Sequence, residues 1–154
     1  MTMDDRYRAK LQSVIASLRY WIPSINDVAT VVEDDGGDYW QLGVEPHVSG
    51  GCPFEIVIRS DGFHDIIIDG ETYEDQPSDN LDLFLALVEG ISRGDVRRRL
   101  YHSCASGRVV AVETIVELGG GRTWSRRRDL VPFDSHGESD DLVITDHCYL
   151  PYRR

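Results

Sequence analysis

The chain of 154 residues contains one lysine, Lys10, against fifteen arginines, few cysteines and no long apolar run. A bias toward arginine follows genome composition as readily as chemistry, so its abundance alone points to no function. The three cysteines, Cys52, Cys104 and Cys148, are odd in number and widely spaced. That argues against a disulfide framework and fits a reducing, cytoplasmic compartment. They read as small buried apolar side chains. No stretch approaches the roughly 20 apolar residues of a membrane-spanning helix, and the opening MTMDDRYRAK has no apolar signal core.

Catalytic motifs are also missing. No serine sits in a G-x-S-x-G elbow. Gly50-Gly51 and Gly119–Gly121 lack the strand-to-helix context and the lysine of a phosphate-cradling loop. His102 and Cys104 would share one face of a strand, but no third metal ligand is evident, and His147 and Cys148 point apart. DSHGESDD (134–141) is acidic without the ligand spacing of a calcium loop. His64 reads as a surface histidine. The expectation is a protein without metal, cofactor or catalysis.

What the chain does have is a globular composition, 41% apolar and 28% charged, at a length that suits one domain over residues 1–154. Its net charge of −11 disfavours nucleic acid and anionic membranes as partners and permits a basic protein. The charge is polarised: residues 1–90 carry a net −13 and residues 91–128 a net +6.

Apolar spacing predicts a helix over 4–22, stopped by Pro23. VATVVE (28–33) and YWQLGVE (39–45) flank the turn DDGGD and read as a hairpin. FEIVIRS (54–60) and FHDIIID (63–69) flank Asp61-Gly62, read as a two-residue turn that pairs Ile58 with Asp65, Val57 with Ile66 and Ile56 with Ile67. DGETYEDQPSDN (69–80) reads as an acidic loop, with Ser78 or Asp79 capping a helix over 79–93 that Gly94 ends. Three antiparallel strands follow, and LVITDHCYL is a possible last strand. A three-residue turn at Ala105-Ser106-Gly107 pairs Arg99 with Glu113 and Leu100 with Val112. A two-residue turn at Gly119-Gly120 pairs Ile115 with Trp124 and Glu113 with Arg126. Those registers put Arg97, Arg99, Tyr101, Arg122, Trp124, Arg126 and Arg128 on one face, opposite the core face of Val112, Thr114 and Val116.

The expected fold is α+β, an antiparallel sheet of about six to seven strands with two helices packed on one face. Two surfaces stand out. Asp34, Asp35 and Asp38 in one turn, with Asp69, Glu71, Tyr73, Glu74 and Asp75 in one loop, could dock a basic partner. The arginine face around Trp124 could hold an anion or stack nucleic-acid bases, or could simply be neutralised by Glu113 and Glu117 across the strands.

The element order and acidity resemble the immunity proteins that neutralise bacterial toxins, and also the type III secretion chaperones. The resemblance covers roughly residues 4–128 and carries no motif. It implies a non-catalytic cytoplasmic protein that covers a basic toxin or effector. The chaperone pattern normally closes with a third helix, and LVITDHCYLPYRR does not read as one.

Overall fold

The computed structural model describes residues 3–130 and 141–153; residues 131–140, with most of DSHGESDD, lie outside them. Helix α1 (Met3–Trp21) buries Leu11, Val14, Ile15 and Leu18, the stripe its spacing predicts. A short 3-10 turn, Ile22–Ser24, follows at Pro23. Strands β1 (Ala29–Asp35), β2 (Tyr39–Pro46), β3 (Phe54–Arg59), β4 (Phe63–Ile68) and β5 (Glu71–Pro77) form an antiparallel five-stranded sheet in chain order. Helix α2 (Leu83–Ser92) buries Phe84, Leu87, Val88 and Ile91. Strands β6 (Val96–Ser103), β7 (Val109–Gly119), β8 (Arg122–Asp129) and β9 (Leu142–Cys148) form a second sheet, in the order β8-β7-β6-β9.

The α+β class is as expected, but the single sheet of six to seven strands is replaced by sheets of five and four. The difference begins at 69–77. This segment is a strand, not a loop, although only Tyr73 supplies a buried apolar side chain. Pairing to β4 carries it, with Ile66 opposite Tyr73 and Ile68 opposite Glu71. Helix α2 then takes the chain out of the first sheet and starts another.

The β3–β4 turn also differs by one residue. Ile56 faces Ile66 and Phe54 faces Ile68, so the loop is Ser60-Asp61-Gly62, with Gly62 at φ +91°. The physical reason is burial. The two-residue turn would set Asp65 against Ile58 in the core; the longer loop matches Phe54, Ile56 and Ile58 with His64, Ile66 and Ile68, all buried.

The two sheets meet across β5. Arg98, Thr114 and Arg126 form one row across β6, β7 and β8. Arg98 donates to the carbonyls of Ile68 and Asp69, Thr114 meets the Tyr73 hydroxyl, and Arg126 donates to Gln76. The contacts advance along β5 in chain order, so β5 lies across the strands of the second sheet. One hydrophobic cluster joins both helices to the inner faces of both sheets. Helix α2 approaches β7 closely at Gly90, where an added Cβ would lie 2.5 Å from the Glu117 carbonyl oxygen. The C-terminal residues are tied down by Tyr152 N–H donating to Ser92 and by Arg153 paired with Asp27.

Candidate binding surface

The expected arginine face is not one face. Arg99 does pair with Glu113 and Leu100 with Val112, but the turn is the four residues 104–107 rather than three, because Ser103 N–H donates to the Arg108 carbonyl, and a bulge between Tyr101 and His102 restores the register. Beyond Glu117, however, Leu118 is an extra residue, and the β7–β8 register shifts by one. Trp124 therefore faces Val116 and Arg126 faces Thr114, on the core side. A one-residue slip inverts every side chain of a strand. Trp124 is 4% exposed, edge-on to Tyr73, with the Arg126 guanidinium 5.1 Å from its ring centre. Arg128 forms a bidentate pair with Glu71 at 2.9 Å.

Arg97, Arg99 and Tyr101 remain on the outer side, where Arg127 replaces Arg126. Acids answer them. Asp146 binds Arg99 at 2.9 Å, Glu117 meets Arg97 at 3.4 Å, and Tyr101 donates to Glu113 at 2.7 Å. The Asp146 carboxyl is held below the usual range, chiefly by the Arg99 hydrogen bonds. Arg127 lies over the Tyr101 ring and pairs with Asp129. Of the nine arginines in 91–128, Arg108, Arg122 and Arg126 have no ion pair among the described residues; Arg126 is held by Gln76 and the Trp124 ring, and Arg108 and Arg122 lie at the hairpin turns. The positive charge of this segment is largely consumed inside the fold.

The acidic residues separate in a similar way. Asp34, Asp35 and Asp38 lie at one end of the five-stranded sheet, and Asp69 and Glu71 at the other. Six residues of strand between them span roughly 20 Å. Asp69 accepts from Tyr149 at 2.7 Å, and Glu71 is spent on Arg128. That ion pair holds the Glu71 carboxyl below its ordinary pKa. Tyr73 is buried. Asp75 joins Asp61 and Asp65 around Arg59. Asp69 and Glu71 thus lie in a seam rather than an exposed loop, Asp34 accepts from the Tyr39 hydroxyl at 2.8 Å, and of the expected docking residues Glu74 and Asp38 make no side-chain hydrogen bond or ion pair among the described residues. Asp35 is paired with Arg19.

A surface that sequence reasoning missed is assembled instead. Residues alternating with the buried Trp40, Leu42, Val44, Phe54, Ile56, Ile58, Ile66 and Ile68 form the outer face of the five-stranded sheet, and none of them is buried. The register sets them in rows: Val32, Gly43, Glu55, Ile67 and Thr72 in one, Asp34, Gln41, Val57 and Asp65 in the next. Asp34, Glu45, Glu55, Asp65, Glu74 and Asp75 give this face six carboxylates, and Arg59, paired with Asp65 and Asp75, is its one strand cation among the described residues. Val32 is 64% exposed, and Tyr39, Val57 and Ile67 lie partly exposed among the acids. The signal was present in the odd-numbered positions of YWQLGVE and FEIVIRS, where Gln41, Gly43, Glu45, Glu55 and Arg59 alternate with apolar even positions.

No family model matches the chain, and neither a curated protein nor a solved structure matches it.

Two further groups bear on chemistry. His64 is buried, not on the surface, with Nδ1 2.9 Å from Ser78 Oγ and its ring edge-on to Phe84. Burial, then the Arg126 charge, push its pKa down to about 4, so it is neutral at physiological pH. Ser78 is consumed here rather than capping α2, whose N-cap is Asp82. Cys52 is buried and its thiol is pushed up to about 12 by burial, which makes it unreactive, whereas Cys104 and Cys148 are exposed. Among the described residues no three His, Cys, Asp or Glu side chains converge as metal ligands. No helix among them is long and apolar enough to cross a membrane.

Proposed function

We propose that this protein is a non-catalytic binding module that covers a basic protein partner with the outer face of its five-stranded sheet. One observation carries the reading: among the described residues, six carboxylates share the outer sheet face with exposed Val32 and partly exposed Ile67, and a single strand arginine answers them. Apolar side chains supply area that gains from leaving water. The carboxylates steer a cationic partner and fix its orientation. This is the role that the resemblance to toxin-immunity proteins implies, with the contact moved from acidic loops to a sheet face. The arginines around Trp124 support the opposite reading poorly, because Arg126 packs on the core side, Arg127 and Arg128 are paired with acids, and only Arg122, at the hairpin turn, is left exposed without an ion pair among the described residues.

The test uses a photocrosslinking residue at Val57, on the face, and another at Arg122, at the far hairpin turn, in the native host. A protein of basic isoelectric point should crosslink from Val57 and not from Arg122. The triple variant Glu45→Lys, Glu55→Lys, Glu74→Lys should lose it, and salt should weaken it. Crosslinking from Arg122 alone, or a partner indifferent to the triple variant, would overturn the reading.

A further inference from the structure

The middle of β2 holds a glycine that the fold does not need. Gly43 pairs with Val32 on one side and Glu55 on the other, in continuous register, so it marks no bulge. Its backbone is not in the left-handed region, and an added Cβ would find only the Val32 carbonyl oxygen, 3.9 Å away. Neither conformation nor crowding calls for glycine. A strand interior is destabilised by it relative to a β-branched residue. What glycine creates is a gap: an open cavity of about 300 Å³ lined by Thr30, Val32, Glu45, Glu55 and Ile67.

We infer that this trough is a pocket for one cationic side chain, a lysine or arginine presented by the partner. The inference rests on the proposed function above. Val32 and Ile67 give apolar walls that suit the aliphatic stem of such a side chain. Glu45 makes no side-chain hydrogen bond or ion pair among the described residues, and Glu55 accepts the Gln41 amide. Both carboxylates lie beside the gap, Glu55 directly across from Gly43 and Glu45 two residues along the same strand. A cation at the rim satisfies them by charge-assisted hydrogen bonds. A neutral apolar side chain would desolvate two carboxylates without compensation, and an acidic one would be repelled.

The probes are Nα-acetyl-arginine amide and Nα-acetyl-lysine amide, with the leucine and glutamate equivalents as controls, titrated into the isotope-labelled protein by NMR. The cationic probes should give saturable amide shifts at Val32, Gly43 and Ile67 in the millimolar range. Gly43→Val, which fills the gap, should weaken them by about tenfold or more while keeping or raising thermal stability. Gly43→Ala, which adds one methyl in open space, serves if valine impairs folding. Shifts scattered over all acidic surface, shifts equal with the leucine probe, shifts unchanged in both variants, or no saturation would each overturn the pocket. The two readings separate cleanly. If the triple glutamate variant loses the Val57 crosslink and Gly43→Val keeps it, the face stands and the trough falls. If neither variant affects the crosslink, the face itself falls.

Discussion

The Tyr73 hydroxyl lies 2.7 Å from Thr114 Oγ1 and so joins the edge strand of one sheet to a central strand of the other. Both residues are buried. Their hydrogen bond is the midpoint of the row in which β5 crosses the second sheet. Tyr73→Phe should lower stability by about 1–2 kcal/mol, because Thr114 keeps a buried hydroxyl with no partner. Thr114→Val in that background should recover part of the loss. Denaturant unfolding of the four proteins in the cycle measures the coupling. Strict additivity would show that the contact does not hold the sheets together.

His64 makes the fold acid-sensitive in a defined window. Its imidazole faces Ser78 and Phe84, with Arg126 and Arg59 opposing protonation and Asp65 and Asp79 favouring it. The folded value of about 4 lies below the ordinary 6.5. Between the two, the unfolded chain binds a proton that the folded chain does not. Stability therefore falls as pH drops from about 6.5 to about 4, by up to roughly 3 kcal/mol from this residue. His64→Asn, which can still meet Ser78 but does not titrate, should show a flatter profile there. Parallel profiles for both proteins would remove His64 as the cause.

Trp124 and Arg127 test the β7–β8 register. Trp124 is core, so Trp124→Ala should cost about 3–5 kcal/mol. Arg127 is exposed on the other face, and Arg127→Ala should cost about 1 kcal/mol or less. Thermal or denaturant unfolding discriminates the two. The reverse order would restore the unshifted hairpin and put Trp124 outside.

Glu71 and Glu74 are three residues apart and should respond unequally to charge reversal. Glu71 has 13% side-chain exposure and pairs with Arg128, so Glu71→Lys sets two cations together at the seam and should destabilise by about 1–3 kcal/mol. Glu74 points outward, and Glu74→Lys should stay within about 0.5 kcal/mol. Equal melting temperatures for the two variants would mean that β5 does not lie against the second sheet.

The sequence by itself determined the elements that local pattern encodes. Leu11, Val14, Ile15 and Leu18 define the buried stripe of α1, and Gly94 ends α2 at φ +81°. The β6–β7 pairing of Arg99 with Glu113 was legible too, although a bulge after Tyr101, not the expected three-residue turn, sets it. Charge polarity was equally plain. Tertiary structure decided the rest, and the reason is that side-chain direction in a strand reverses with each residue. Gly119-Gly120-Gly121 permits more than one loop, and the bulge at Leu118 is selected because it buries Trp124 against Tyr73. Strand β5 has too few apolar residues to announce itself and exists because Ile66 and Ile68 supply its partners. Which carboxylates stay free was decided the same way: Glu71 and Asp75 meet arginines distant in sequence, while Glu45 and Glu55 are left beside Gly43 because the core claims only the other face of their strands.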